Sequence, residues 1–286
     1  MNEYLLAALL GVVEGLTEFL PISSTAHLRI VEALFGIALT DAFWKTFTIV
    51  IQLGAILCLP LYFRARLAAF VRTFPRGTRG DRTALNHPLT LTLIAFVATA
   101  GPAFLLTRVI GKHLESLWVM GGALVTGGVV MWVVDAAYGR ASARTDDLEQ
   151  MSPAQALWIG LCQVLSAVFP GTSRSMATIT AGELAGLSRP AALEFSFFVS
   201  MPTMAAATLY DLLKSLRPSD AGHLGAMPHD ARAWIVLAIG FVVSFVVAYG
   251  VVAWFMSWVR SRGFAPFAVY RIVVGAAVLW WAAGHA

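Results

Sequence analysis

The chain has 286 residues, of which 58% are apolar and only 13% charged, with a formal net charge of +4 and a mean hydropathy of +0.75. Soluble domains run at about 45–50% apolar and about 25% charged, so an ordinary soluble enzyme is excluded. The composition predicts an all-α polytopic membrane protein, a single integral membrane domain over residues 1–286.

The first apolar stretch, 4–36, carries no basic residue before Arg29, so it lacks the positive n-region of a cleavable signal and is expected to stay in the mature protein. It is interrupted in its middle by "VVEGLTEFLPISSTAH", residues 12–27. Uninterrupted runs long enough to cross roughly 30 Å of hydrocarbon, which takes about 20 residues, follow at 43–63, 88–107 and 117–138. Between the first two of these, Arg64, Arg66, Arg72, Arg76, Arg79 and Arg82 face only Asp81. Juxtamembrane arginines of this kind meet anionic lipid rather than nucleic acid, and they place that loop in the cytoplasm. A second broken stretch occupies 154–186, and three more spans are expected at 191–213, 233–258 and 267–284. Counting from the basic loop puts both termini outside, provided each broken stretch enters and leaves by the same face. Cys58 and Cys162 lie in apolar runs without metal-ligand spacing and read as small buried residues.

The two broken stretches resemble each other. "GVVEGLTEFLPISST" (11–25) lies over "GLCQVLSAVFPGTSR" (160–174) at an offset of 149, pairing Gly11 with Gly160, Glu14 with Gln163, Pro21 with Pro170 and Ser24 with Ser173. Each half, 1–150 and 151–286, then contains one broken stretch and three spans. An odd number of crossings gives the halves opposite orientation, the arrangement of an inverted-topology repeat. Non-helical backbone at membrane depth is tolerated only when it is buried in protein or lines a wet cavity, so two re-entrant helical hairpins with facing tips are expected.

Glu14 and Glu18, spaced i, i+4, leave one helix face as neighbours, and two such carboxylates in a low dielectric need a shared proton or cation. An all-oxygen set suits Mg²⁺ or Ca²⁺. After Pro21 come Ser23, Ser24 and Thr25, candidates for N-caps at a helix start that also favours anions. His27, one turn further, can serve as proton acceptor, donor or nucleophile. At the second tip Gly171 permits a tight turn, Thr172 and Ser173 offer hydroxyls, and Arg174 brings a planar fork suited to phosphate oxygens. Thr178, four residues on, either adds a hydroxyl or bonds back to its own helix. These features converge on a phosphate or diphosphate attached to a lipid.

"EGLTEFLPISSTAHL" and "PGTSRSMAT" closely resemble the two signature motifs of the bacterial undecaprenyl-diphosphate phosphatases, the bacitracin-resistance proteins, in motif spacing over nearly the whole chain. The resemblance implies a metal-dependent inner-membrane enzyme that recycles the lipid carrier for peptidoglycan and other wall polymers by removing its terminal phosphate. It places the family's acids on Glu14 and Glu18, its hydroxyls on Ser23, Ser24 and Thr25, its histidine on His27, and its second motif on Gly171, Thr172, Ser173 and Arg174. Ala26 stands where relatives often carry glycine. In this reading Glu14 and Glu18 hold the cation and Ser24 attacks with His27 assisting; attack by His27 itself or by a metal-bound water fits the sequence equally well. The carrier is released outside, which implies a pocket open to the outer face.

The rival class is a transporter built on the same repeat, with Glu14 and Glu18 as coupling-ion ligands. Arg174 beside Ser173, after Pro170 and Gly171, argues against it, because an ion pathway does not need a phosphate-binding set. Elsewhere, Glu194 reads as structural and Glu183 as interfacial, Asp135 and Arg271 as groups that snorkel or pair near span ends, and Trp280 and Trp281 as interfacial anchors. Gly121, Gly122, Gly127 and Gly128 could pack helices within one chain or between two in a homodimer.

Overall fold

The computed structural model describes residues 2–38, 41–106, 116–139, 145–215 and 230–284. In chain order its helices are α1 (Glu3–Thr17), α2 (Ser24–Leu34), α3 (Ala42–Tyr62), α4 (Arg64–Thr73), α5 (Pro88–Leu105), α6 (Leu117–Tyr138), α7 (Pro153–Val168), α8 (Arg174–Leu184), α9 (Arg189–Ser215), α10 (Ala231–Arg262) and α11 (Ala265–Gly284). Six of these, α3, α5, α6, α9, α10 and α11, are long and apolar enough to cross a membrane, and each falls on an expected span. The expected outer loops 108–116 and 214–232 lie largely outside the described residues.

Both broken stretches resolve into pairs of shorter helices. At 1.5 Å per residue, α1 and α7 reach about 23 Å and α2 and α8 about 16 Å, all short of the hydrocarbon thickness. Proline lacks an N–H and bars the preceding residue from helical conformation, and the breaks fall at Pro21 and Pro170. The second helix of each pair starts directly after a serine with positive φ, Ser23 at 75° and Ser173 at 68°. These two serines stand 150 residues apart, against the offset of 149 at the prolines, because the second tip holds one more residue between its proline and that serine. A second difference from the sequence expectation is α4, which is helical where a basic loop was expected. It contains no glycine or proline before Pro75, buries Phe70, and lays the Arg66 guanidinium 4.9 Å over the Phe70 ring.

The described chain forms two compact units. The first comprises Met1–Phe19, Ser24–Tyr62 and Ser200–Ala253. Its core joins Leu6, Ala7 and Leu10 of α1 to Leu28 of α2, Phe47 and Ile51 of α3, and Val236 and Leu237 of α10. Lipid tails are as apolar as leucine, so helices in a bilayer associate through close packing of small residues. Gly15 and Gly54 show this: a Cβ on Gly15 would lie 2.8 Å from the Ser244 carbonyl, and Ser244 Oγ donates to the Ile51 carbonyl at 2.7 Å.

The second unit comprises Leu20–Ser23, Phe63–Val199 and Trp254–Ala286. Gly121, Gly127 and Gly128 of α6 are occupied by close contacts with Leu279, Arg271 and Ala268 of α11, so these small residues pack within the chain. Thr99 of α5 donates to the Gly160 carbonyl of α7 at 2.8 Å. A row of ion pairs fastens helix ends: Arg66 to Asp147 at 2.7 Å and to Glu194 at 3.0 Å, and Arg189 to Asp135 at 2.6 Å. Glu194 is thus a structural partner, and Asp135 pairs. Glu183, expected at the interface, is instead buried beside Arg189 at 3.8 Å. Trp280 and Trp281 are exposed; Cys58 is buried and Cys162 half-buried.

Candidate active site

In the first unit, the Glu18 amide donates to the Glu14 carbonyl at 2.9 Å, and Glu18 itself keeps helical dihedrals. The two carboxylates therefore leave the end of α1 one turn apart on the same face. Both are buried, at 1% and 7% exposure, although the surrounding helix is apolar. Across the break, the Ser24 hydroxyl donates to Glu18 Oε2 at 2.5 Å. A hydroxyl held this closely by a carboxylate is the geometry of a nucleophile and its base.

Glu14, Ser24 and Thr25 open onto a half-enclosed polar pocket of about 260 Å³. Its wall also contains Arg29, Glu32, Gln52 and Asp211, with Arg29 bonded to Glu32 at 3.2 Å. None of these four was singled out from sequence. The i, i+3 spacing of Arg29 and Glu32, and a lone amide at Gln52 inside an apolar span, were the available signals. His27 lies half-buried on α2, one turn after Ser24.

The donors around Glu14 and Glu18 are oxygens, the chemistry of a hard divalent cation. Among the described residues no three His, Cys, Asp or Glu side chains converge to cage a metal. Two carboxylates one turn apart have the donor chemistry of sites in which one or two carboxylates share an ion with substrate phosphates.

In the second unit the two tips meet. Gly171, at φ +94°, packs so tightly that a Cβ would lie 2.5 Å from the Met120 carbonyl; only glycine fits. Ser173 Oγ caps α8 by accepting the Met176 amide at 3.3 Å. It lies 3.0 Å from Ser175 Oγ, whose own proton goes to the Leu20 carbonyl at 2.9 Å. A hydrogen-bond chain thus runs from the first turn of α8 to the first tip. Ser23 is buried at 4% exposure.

Arg271 completes the junction. It is fully buried and donates to the carbonyls of Pro21 at 3.1 Å, Gly171 at 3.0 Å and Ala123 at 3.1 Å. One guanidinium therefore holds both tips. Of the two roles expected near a span end, snorkelling and pairing, Arg271 takes the second, with backbone carbonyls as partners: the side chain turns inward, because the carbonyls of Pro21 and Gly171 at the two breaks need donors.

Arg174 is half-buried and donates to the Ser196 carbonyl at 3.4 Å. Thr178 is fully buried; its hydroxyl lies 3.0 Å from the Arg174 carbonyl and 2.7 Å from Ser196 Oγ, the back-bonded arrangement. Ser196, unmarked in the sequence, thus touches both residues. The Thr172 amide donates to the Phe169 carbonyl at 3.1 Å.

Comparison with known proteins adds the following. The sequence model of the family described as "Bacitracin resistance protein BacA" matches residues 7–277. A relative named undecaprenyl-diphosphatase from Koribacter versatilis is 70% identical over 284 residues, covering 99% of both chains. Undecaprenyl-diphosphatase 1 of Frankia alni is 41% identical over 98% of this chain and 96% of its own, and the undecaprenyl-diphosphatase of Caldanaerobacter subterraneus is 39% identical with the same coverage.

Proposed function

The chain belongs to the bacitracin resistance protein BacA family, and from that premise we propose that it hydrolyses undecaprenyl diphosphate to undecaprenyl phosphate and inorganic phosphate, recycling a membrane lipid carrier and conferring bacitracin resistance. The observation that carries the reading is the 2.5 Å bond from Ser24 Oγ to the Glu18 carboxylate, which joins the end of one short helix to the start of the next across the break at Pro21.

In the proposed reaction Ser24 Oγ attacks the terminal phosphorus while Glu18 takes its proton. The bond from phosphorus to the bridging oxygen breaks, and the lipid leaves as its monophosphate. Water then cleaves the phosphoserine, with Glu18 returning the proton to Ser24. Arg174, steadied through Ser196, binds the equatorial oxygens of the transferred group, where charge is greatest. Gly171, Thr172, Ser173, Ser23 and Thr25 shape the two turns that receive the diphosphate, and Thr178 supports the start of α8. His27 relays protons on α2. Glu14 and Glu18 would hold Mg²⁺ or Ca²⁺, which when bound supplies the positive charge that a diphosphate requires.

The finer architecture belongs to the same reading. The short paired helices, the breaks at Pro21 and Pro170 and the matching positive-φ serines support two re-entrant hairpins in an inverted repeat, 1–150 and 151–286, with the termini and the pocket on the outer face of the bacterial inner membrane.

Phosphate release from undecaprenyl diphosphate by the purified protein in detergent tests the reading. Release that stops with EDTA and returns with Mg²⁺ or Ca²⁺ is expected, together with an acid-stable phosphoserine at Ser24 in quenched reactions. An acid-labile adduct would move the nucleophile to His27. A stable wild type that releases no phosphate would overturn the enzyme.

A further inference from the structure

Beside the second tip, α6, α7 and α8 enclose a groove of about 520 Å³, within the usual range for a ligand cavity. The tip itself forms part of its wall through Phe169 and Thr172. Gly171 of that tip packs on Met120, near the start of α6, so this end of the groove is the tip's end. From there the wall follows one face of α6 from Val119 to Val130. Eleven residues at 1.5 Å each give about 16 Å, or half the hydrocarbon thickness of a bilayer.

The lining offers almost nothing to a polar ligand. Thr126 spends its hydroxyl on the Gly122 carbonyl at 2.7 Å, and Thr180 turns its hydroxyl to the Met176 sulfur at 3.6 Å. Trp118, Val130, Leu165 and Leu184 stand half-exposed along the rim. The floor contains Gly122, around whose missing Cβ no atom lies within 4 Å. That absence separates Gly122 from its neighbours Gly121 and Gly127, which are small because α11 presses on them. Gly122 is small where no protein atom needs it to be, and its emptiness opens into the groove.

We propose that this groove holds the first isoprene units of the substrate's chain, as a subsite continuous with the second tip. The inference rests on the diphosphatase reading. A diphosphate placed at the Gly171–Arg174 turn leaves its attached lipid to descend along the nearest apolar wall, and the groove begins at that turn. Its role is recognition of the chain, so filling it weakens binding of the long substrate and leaves the bond-breaking groups alone.

Gly122→Phe adds bulk at a groove-lining position whose Cβ would meet nothing beyond its own helix within 4 Å. Gly101→Phe adds the same bulk to α5, at an exposed glycine that also has no atom within 4 Å of a Cβ and does not line the groove. Phosphate release is measured for wild type and both variants in detergent, with undecaprenyl diphosphate and with water-soluble isopentenyl diphosphate. The expected result is a KM for undecaprenyl diphosphate raised about tenfold or more by Gly122→Phe alone, with kcat and the isopentenyl diphosphate rate within about twofold of wild type. An unchanged KM in Gly122→Phe overturns the subsite and leaves the groove to bulk lipid. An equal rise in Gly101→Phe, or an equal loss on both substrates, also overturns it. Absence of phosphate release by wild type on either substrate is a different failure, that of the diphosphatase reading itself.

Discussion

At the first tip the chain leaves α1 with Glu14 and Glu18 buried on one face, turns through Pro21 and Ser23, and starts α2 at Ser24. At the second it leaves α7 with buried Gln163, turns through Pro170, Gly171 and Ser173, and starts α8 at Arg174. The backbones agree down to the positive φ of one serine, while the charges are opposite: acids in the first copy, a cation in the second. Such φ values in non-glycine residues cost about 1–3 kcal/mol and persist where the surroundings over-determine them. The turn is therefore the shared element, and the side chains around it carry the division of labour. In the proposed reaction the first stretch supplies the nucleophile, its base and the groups that would hold a cation, and the second supplies a group for anionic oxygens.

Breaking the tie between the copies has the largest expected effect. Arg271→Met removes the donor to the carbonyls of Pro21 and Gly171, which lie in the non-helical tips, while the Ala123 carbonyl stays within its helix. Each buried unsatisfied acceptor costs about 1–3 kcal/mol, so a loss of about 3 kcal/mol or more is expected, read as a lower Tm in detergent together with loss of phosphate release. Arg271→Lys keeps the charge but not the fork and should fall between. A Tm for Arg271→Met equal to wild type would show that the tips hold their places without it.

Within the acidic copy, Glu18→Gln removes the proton acceptor of Ser24 and keeps its shape. General-base contributions are typically about 10²–10⁴-fold, and kcat should fall by that order, with Tm little changed. Gln163→Glu, at the place in the second stretch that aligns with Glu14, should not restore any of it. In the cationic copy, Arg174→Lys preserves charge and loses bidentate geometry; a fall in kcat/KM of about 10–100-fold is expected, smaller than that of Arg174→Ala. If Arg174→Lys matched wild type, the second tip would be acting as a point charge.

Much of this contrast is legible in the sequence, for a physical reason. Carboxylates, hydroxyls and an arginine stand out against an apolar run because a bilayer forbids them elsewhere, and the six long helices are visible for the same reason. Arg271 was hidden because its partners are backbone carbonyls, which leave no mark in a sequence, and a single arginine near a span end looks like one that reaches for water. Ser196 was hidden because a hydroxyl inside an apolar helix usually bonds its own backbone. Helix α4 escaped because its arginines resemble a loop; the signal that it folds is the buried Phe70 among them. The sequence alignment of the two stretches follows the prolines at an offset of 149, whereas the two positive-φ serines stand 150 apart, a feature that leaves no mark in a sequence.

That register gives the smallest and most specific prediction. If the turn is what the copies share, glycine at either serine should be tolerated, because it adopts positive φ without the cost a Cβ imposes. Ser173→Gly gains this relief but loses the cap on Met176 and the bond to Ser175, and a cap is worth about 1 kcal/mol. The two terms nearly cancel, so Tm should stay within about 2 °C of wild type for Ser173→Gly. Ser173→Ala loses the cap and keeps the strain, and should be less stable by about 1 kcal/mol. Ser23→Gly against Ser23→Ala should show the same order. Thermal unfolding of these four variants separates backbone from side chain at each tip. An alanine more stable than its glycine at either position would mean that the positive φ is not what the two turns have in common.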